Sequence, residues 1–185
     1  MNNLSIASNF NPGRRRWLRH SGIAAGALIL QSSPVFAAAG DEISRTAEAI
    51  HQEVAFNATP ERIYGALTDA ASFQKLESLS DAMQSLDIAG HPARISRDPG
   101  GSFSLFGDYI VGRQIELAPN QRIVQAWRVA NWDPGIYSIA RFELTPVDSG
   151  TKLVFDHTGF PAGDAESLAS GWHAHYWEPL RKFLG

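Results

Sequence analysis

Residues 164–184 read DAESLASGWHAHYWEPLRKFL, and this segment decides the fold. Its apolar and aromatic side chains recur every three or four residues, which predicts a long amphipathic helix with one buried face. The side chains expected on that face are Leu168, Trp172, Tyr176, Leu180 and Phe183. Proline lacks the N–H that a helix interior uses, so we expect Pro179 to kink or fray the last turn.

Before this helix, the chain alternates between short apolar stretches and tight turns. Proline and glycine supply the dihedral angles that such turns need, as in Asp98-Pro99-Gly100-Gly101 and the hairpin turn Asp148-Ser149-Gly150. Short consecutive strands joined in this way form an antiparallel meander. The predicted strands are 102–106, 109–117, 122–129, 136–145 and 152–158.

Period-two alternation assigns side chains to the two faces of these strands, because successive residues of a strand point to opposite sides. In one strand the shared side carries Ser138, Ala140, Phe142 and Leu144. In another the apolar series is Tyr109, Val111, Ile115 and Leu117. In the last strand His157 shares a face with Leu153 and Phe155, and we expect that face to point inwards.

A strand and two short helices open the domain. Alternation predicts the strand over 50–56, and Thr59-Pro60-Glu61 begins the first helix with a capping hydroxyl, a proline and an acid. We predict the second helix over 70–75 and a loop with some helix over 77–90. This order predicts an α+β fold in which a curved antiparallel sheet wraps around the long C-terminal helix, with room for a cavity between them.

The same order carries local motifs that resemble the START-like helix-grip superfamily (SRPBCC), whose type member is the birch-pollen allergen. Within it, the chain is most similar to homologues of the ATPase activator of the ninety-kilodalton heat-shock chaperone. The resemblance covers 51–184, and it implies the helix-grip fold for the domain. The motifs are Phe56-x-Ala58-x-Pro60-x-x-Ile63-Tyr64, Ala66-Leu67-Thr68-Asp69, Pro99-Gly100-Gly101-x-Phe103, Gly112, Ile123-Val124-x-x-Trp127-Arg128, Gly150-Thr151-x-Leu153, Gly159-Phe160-Pro161 and Gly171-Trp172-x-x-x-Tyr176-Trp177.

The N-terminal segment has the order of a secretory signal. The basic cluster 14–19 resembles the twin-arginine consensus, the apolar stretch 23–30 is too short to span a bilayer, and small residues follow. We expect cleavage after Ala39, with Ala37 as second choice, although the general secretory route and a retained tether remain alternatives. The predicted location is periplasmic or secreted, the twin-arginine translocase is the expected partner during export, and no stable membrane anchor is expected afterwards. The predicted segments are a signal peptide over 1–39, a lead-in over 40–49 and the helix-grip domain over 50–185.

Charge and composition exclude several classes of function. The formal net charge of the whole chain is −3. Residues 1–39 hold four arginines and no acidic residue, so the chain from Gly40 onward carries 12 basic and 19 acidic residues and a net charge of −7. So acidic a domain is repelled by nucleic acid, and we expect no nucleic-acid partner. Without cysteine the chain has no disulfide and no thiolate chemistry. The turn at Pro99 lacks the helix and lysine of a phosphate-binding loop, so no cofactor is expected.

Aromatic side chains supply the candidate site. For any one of them plain core packing is the favoured interpretation, but as a group they make an apolar pocket between sheet and helix plausible. His157 is the candidate general base if the protein is an enzyme, with Tyr176 as a second proton-transfer group. The predicted ligand-binding residues are Trp127, Phe142, Phe155, His157, Trp172 and Tyr176.

Two other polar pairs carry less chemistry than their spacing suggests. His173 and His175 point about 200° apart on a helix, so one metal ion cannot take both, and no metal site is expected. Asp156 and His157 are neighbours on a strand and face opposite sides of the sheet, so they do not form an acid–base dyad.

Three hypotheses about function follow. The first is an exported domain that binds a small hydrophobic or amphipathic molecule in the sheet–helix cavity and acts as a carrier, sensor or scavenger. The second is an enzyme of the polyketide cyclase or dehydratase type, which the residues do not establish. The third is a protein-interaction module that regulates a chaperone, as the most similar homologues imply.

Overall fold

The structure is a computed structural model that describes residues 48–80 and 90–185. The predicted signal segment 1–39 and most of the lead-in 40–49 lie outside the described residues, and Ala49 already belongs to the first strand. The strands are β1 (Ala49–Phe56), β2 (Arg94–Ile95), β3 (Ser102–Leu105), β4 (Ile110–Ala118), β5 (Arg122–Val129), β6 (Ser138–Val147) and β7 (Gly150–Thr158). The helices are α1 (Pro60–Thr68), α2 (Ala70–Glu77), α3 (Ala165–Trp172) and α4 (Glu178–Leu184), with a π-helical turn (His173–Trp177) between the last two.

The seven strands form one open antiparallel sheet in the order β1-β7-β6-β5-β4-β3-β2. Strands β2 to β7 follow one another as the predicted meander, and β1 pairs with β7 at the far edge. The sheet curves around the C-terminal helix, which confirms the predicted α+β helix-grip arrangement. No helix in the described part of the chain is long and apolar enough to cross a membrane.

The start of α1 has the predicted cap. The Thr59 side chain accepts a hydrogen bond from the backbone N–H of Arg62, and Pro60 is the first helical residue. Helix α2 extends two residues beyond its predicted end and finishes at Glu77. Of the predicted loop over 77–90, residues 81–89 lie outside the described part of the chain.

Strand β6 confirms the alternation inferred from its sequence. Its inward series is buried and consists of Ser138, Ala140, Phe142 and Leu144. Strand β4 differs, because Tyr109 just before it and Ile115 within it are exposed, by 44% and 48%, while Gly112 and Gln114 are buried. A bulge between Gln114 and Glu116 shifts the register at this point. Only glycine fits at position 112, because a Cβ there would lie 2.1 Å from the carbonyl oxygen of Ala126 and 2.3 Å from the Phe103 ring.

The C-terminal helix departs from regular geometry one turn earlier than predicted. Helix α4 runs to Leu184 without fraying, so the expectation that Pro179 disturbs the last turn is wrong. The turn before it is instead π-helical, and the N–H of Glu178 bonds to the carbonyl of His173, five residues back. A proline ring clashes with the carbonyl four residues before it, and the wider turn accommodates the Pro179 ring.

The π-helical turn changes which side chains reach the core. Trp172, Tyr176 and Leu180 are buried as predicted, but Leu168 and Phe183 are only partly buried. The additional buried side chains are Trp177, Pro179 and Leu184. One extra residue in the turn displaces the side chains that follow by about 100° around the helix axis. A regular 3.6-residue period therefore no longer predicts that Phe183 lies on the buried face.

Polar contacts fasten the C-terminal helical segment to the first strand from α3 to α4. The Gln52 side-chain amide donates to the carbonyl of Ala169 over 3.1 Å, and its oxygen accepts from the Trp177 indole over 2.5 Å. The Arg181 guanidinium donates to the carbonyl of Ala55 over 3.0 Å. The helix is therefore fixed at the β1 edge, and its N-terminal half extends towards the ends of β4 and β5.

Candidate functional site

A cavity of about 380 Å³ opens between the N-terminal half of the C-terminal helix and the ends of β4 and β5. Its size falls within the range of small-molecule sites, about 300–1,000 Å³. The described residues that line it are Phe106, Tyr109, Ile110, Trp127, Val129, Asn131, Trp132, Asp164, Ser167, Leu168, Gly171, Trp172, His175 and Tyr176. Aromatic rings therefore form much of the wall, and polar side chains lie among them, namely Asn131, Asp164, Ser167 and His175.

Three of the six predicted ligand-binding residues line this cavity, namely Trp127, Trp172 and Tyr176. Their rings are in mutual contact, with centroids 5.4 Å apart for Trp127 and Trp172 and 4.2 Å apart for Trp172 and Tyr176. Phe106 meets Tyr176 edge-on at 5.3 Å. Such a packed aromatic wall holds a fixed shape, because each ring restricts the rotamers of its neighbours.

The other three predicted residues, Phe142, Phe155 and His157, are placed in the core behind this wall. Phe155 lies under Trp172 with the ring centroids 4.3 Å apart, and Phe142 packs on Phe155 at 5.0 Å. None of the three lines the cavity, because the Trp172 ring lies between them and the open space. Sequence alternation showed that these residues face inwards, but not that the helix covers them.

His157 is fully buried, and both of its ring nitrogens are hydrogen-bonded. The Trp172 indole donates to Nδ1 over 3.0 Å, so the ring proton is on Nε2 and is donated to the Ser138 hydroxyl over 2.7 Å. Ser138 in turn donates to the carbonyl of Trp127 over 2.8 Å. Burial lowers the pKa of His157 from 6.5 to about 4, so the imidazole is neutral. Each donor in this chain is satisfied, and the arrangement fixes Trp127 and Trp172 in the wall.

Asp156 lies on the opposite face of β7 from His157, as expected. It accepts from Arg141 and pairs with His51, both over 2.7 Å. The His51 contact is the largest cause of its lowered pKa, followed by that of Arg141. Asp156 therefore belongs to a cluster of charged side chains on the outer face of the sheet and does not reach the cavity.

His175 is a cavity residue that the sequence analysis considered only as a metal ligand, together with His173, and not as a ligand-binding residue. Its Nδ1 lies 3.1 Å from the Ser80 hydroxyl, and Nε2 has no hydrogen-bond partner among the described residues. Burial lowers the pKa of His175. His173 lies on the other side of the turn, exposed, 3.7 Å from Glu178. The signal that could have identified His175 is its spacing of three residues from Trp172, which places both on one helix face.

Several buried polar atoms near the cavity have no partner among the described residues. They include the Trp127 indole nitrogen and the Tyr176 hydroxyl, both on side chains of the wall. Burial raises the pKa of Tyr176, and the neighbouring Trp127 indole opposes this shift. A buried polar group without a partner costs about 1–3 kcal/mol, so the wall carries a local cost in stability.

Glu77 lies behind the wall. One carboxylate oxygen accepts from the backbone N–H of Phe106 over 2.5 Å, and the other is buried without a partner in the described residues. Burial raises the pKa of Glu77 to about 7, against the opposing effect of the Phe106 N–H. The carboxyl group therefore holds the backbone of Phe106, a lining residue, in place.

The loop after β5 forms the remaining part of the cavity wall, and its tryptophan takes part in this wall. Asn131 and Trp132 both line the space, and the Trp132 ring meets Trp127 edge-on with centroids 5.7 Å apart. The Arg128 guanidinium donates to the carbonyl of Trp132. This contact holds the loop over the open end of the sheet.

Comparisons with known proteins agree with this geometry. A family model described as activator of Hsp90 ATPase homolog 1-like protein matches residues 57–185. The mouse activator of 90 kDa heat shock protein ATPase homolog 2 is 28% identical over 155 residues, which cover 84% of this chain and 42% of the relative. The human homolog 1 is 25% identical over 119 residues, covering 64% of this chain and 35% of the relative. The chain thus spans less than half the length of these curated relatives.

A solved structure gives the same result. The crystal structure of an Hsp90 activator from Plasmodium falciparum has a TM-score of 0.61 and 28% identity, and the match covers 75% of this chain and 96% of that one. This confirms the resemblance that the motifs indicated. Because the family model covers most of the chain, including every element from α1 to α4, the protein belongs to the activator of Hsp90 ATPase homolog 1-like family.

Proposed function

We propose that the domain binds a small apolar or amphipathic molecule in the cavity between α3 and the ends of β4 and β5, and that it acts as a carrier, sensor or scavenger. The observation that carries this proposal is the cavity itself, about 380 Å³ in volume and walled by aromatic rings. Apolar surface that enters such a space gains roughly 25 cal/mol for each Å² removed from water.

The polar atoms of the wall support the same proposal. The Trp127 indole nitrogen and the Tyr176 hydroxyl are buried without partners in the described residues. Both atoms are closed off from solvent, so the polar groups that a bound molecule meets are those of the lining side chains Asn131, Ser167 and His175. An apolar body with a polar group fits this combination of aromatic rings and donors.

A cavity-filling substitution tests the proposal. Gly171 lines the cavity, and a Cβ added there would meet only His175, at 3.8 Å. We expect Gly171→Leu to fold, to occupy the space and to abolish the rise in melting temperature that apolar compounds cause in the wild-type protein. Gly171→Ala is the matched control and should keep that response. Native mass spectrometry should also show a co-purifying mass in the wild type and in the control variant, but not in Gly171→Leu.

Two results would contradict the proposal. One is a wild-type protein with no bound mass and no thermal response to apolar compounds. The other is a response in Gly171→Leu equal to that of the wild type, which would place binding outside the cavity.

We also propose that the protein is exported through the twin-arginine route, since the cluster 14–19 resembles the consensus of that route. Replacing both Arg14 and Arg15 by lysine should retain the protein in the cytoplasm. Arg19→Lys is the matched control, because the consensus has lysine at that position, and it should leave export unchanged. Export of the double variant at the wild-type level would favour the general secretory route.

The chaperone-regulator hypothesis remains a second candidate, favoured by family membership. An exported domain would not meet a cytosolic chaperone, so recovery of that chaperone in a pull-down from cytosolic extract would support this candidate at the expense of export. The enzyme hypothesis gains no support from His157, because both ring nitrogens are engaged and no open space reaches them.

A further inference from the structure

The charges around the cavity restrict what it can hold. None of the described lining residues is a lysine or an arginine, and Asp164 places a carboxylate in the wall. Glu77 lies behind Phe106, and it is close enough to Tyr176 to raise the pKa of the Tyr176 hydroxyl. An anionic group in this space would have no opposite charge beside it, and burying an unpaired charge costs several kcal/mol.

His175 is the polar group best placed to contact a ligand. Its Nδ1 is turned towards Ser80, while Cδ2, the atom bonded to Nε2, faces Gly171, which also lines the cavity. Nε2 is therefore on the cavity side of the ring, without a partner among the described residues. The ring is held in this orientation by the Ser80 contact and by the edge of Phe106, whose centroid is 6.3 Å away.

The chemistry of a neutral imidazole indicates what would bond to Nε2. If Ser80 donates to Nδ1, Nε2 carries the proton and donates; if Nδ1 carries the proton, Nε2 accepts. A hydroxyl group both donates and accepts, so it pairs with Nε2 in either tautomer. A carbonyl oxygen or a carboxylate only accepts, so either fits only the tautomer with the proton on Nε2. A carboxylate would in addition bring a negative charge that none of the described lining residues neutralises.

We infer that the cavity selects a ligand without a negative charge that carries a hydroxyl group, an alcohol or a phenol, and that this hydroxyl bonds to Nε2 of His175. This inference rests on the proposed function, because it specifies the ligand of the same cavity. The apolar body of the ligand lies against Trp127 and Trp172, and the hydroxyl lies at the end of the space bounded by His175.

Four probes that share one biphenyl body test the inference by isothermal titration calorimetry at neutral pH with the purified protein. They are para-phenylphenol, para-methylbiphenyl, para-phenylbenzoate and para-phenylbenzylammonium. We expect the phenol to bind at least about tenfold more tightly than the benzoate, because the anion has no partner. In His175→Phe, the ratio of phenol affinity to methylbiphenyl affinity should fall by about three- to tenfold, the usual worth of one hydrogen bond.

His173→Phe is the matched control, since it makes the same substitution on the exposed side of the same turn and should leave that ratio unchanged. Melting temperatures of both variants check that each is folded. Tighter binding of the benzoate or of the ammonium compound than of the phenol would overturn the inference but leave the proposed function intact. An unchanged ratio in His175→Phe would also overturn it. Binding of none of the four probes would overturn the proposed function together with the inference.

Discussion

Removing the Tyr176 hydroxyl should make the protein more stable. The side chain is buried, and its hydroxyl proton has no acceptor among the described residues. The Trp127 indole lies beside the hydroxyl oxygen, outside regular hydrogen-bond geometry, and lowers the pKa against the effect of burial. Burying a hydroxyl without a partner costs about 1–3 kcal/mol on mutational scales, and Tyr176→Phe removes that cost while keeping the ring contacts with Phe106 and Trp172. We therefore expect the free energy of unfolding to rise by about 1–2 kcal/mol, and the melting temperature by about 3–8 °C.

The matched control is Thr151→Val, which also deletes a buried hydroxyl. The Thr151 hydroxyl donates to the carbonyl of Ala58 over 2.6 Å, and its removal leaves that carbonyl unpaired. The same chemical change should therefore lower the free energy of unfolding by about 1–3 kcal/mol. The two substitutions thus have opposite predicted signs, and the difference depends only on whether the hydroxyl has a partner.

Urea unfolding followed by circular dichroism measures both effects in ligand-free protein. Equal slopes of free energy against urea concentration would show that the variants unfold from comparable native states. A loss of 1 kcal/mol or more in Tyr176→Phe would refute the reasoning, because it would show that the hydroxyl is hydrogen-bonded in the folded protein. If the hydroxyl also contacts the ligand, the more stable variant should bind more weakly, a usual trade-off at binding sites.

Three further predictions concern the core. Burial raises the pKa of Glu77 from 4.5 to about 7, so in this pH range the folded protein keeps a proton that the unfolded chain loses. The free energy of unfolding should therefore fall as the pH rises through this range. Urea unfolding between about pH 4 and about pH 8 should show that Glu77→Gln lacks this fall. Burial lowers the pKa of His157 from 6.5 to about 4, so as the pH falls the unfolded chain takes up a proton before the folded protein does. The free energy of unfolding should therefore decrease as the pH falls from about 6.5 to about 4, and His157→Gln should lack this decrease. The effects of Glu77 and His157 on the free energy of unfolding have opposite signs in the pH range that they share. If the pH dependence of each variant ran parallel to that of the wild type, the shifted pKa values of both residues would be contradicted. Gly150→Ala should lower the free energy of unfolding by more than about 2 kcal/mol, because Gly150 has a φ of 143° and a Cβ there would lie 2.0 Å from the carbonyl oxygen of Phe56. Gly65→Ala should instead raise it by about 0.5–1 kcal/mol, because Gly65 lies in a helix with open space around it. Thermal or urea unfolding of the two variants measures the contrast.

Local patterns predicted the elements of the fold well, because those patterns depend on residues close together in the chain. The capping group of Thr59 lies three residues from its partner N–H, and the inward series of β6 follows from the two-residue period of a strand. The prediction of β4 was less accurate for the same reason. Its bulge depends on pairing with β5, and the need for glycine at position 112 depends on Phe103 and Ala126 in the two neighbouring strands.

The candidate site was predicted only in part. The sequence indicated an aromatic set between sheet and helix, and Trp127, Trp172 and Tyr176 do line the cavity. It did not distinguish them from Phe142 and Phe155, because all of these residues have the same apolar character and face the same interior. Whether such a side chain meets another ring or open space depends on how the helix lies across the sheet.

Sequence patterns were enough to predict the order of strands and helices, the inward faces of most of them, the family to which the domain belongs and its acidic charge. The folded structure was needed to show that a π-helical turn accommodates Pro179, that Trp177 is buried and that His175 rather than His157 borders open space. The physical reason is that periodicity reports which side of an element avoids water. The space left between two such sides is set by contacts between residues far apart in the chain, such as Trp172 with His157 and His175 with Ser80.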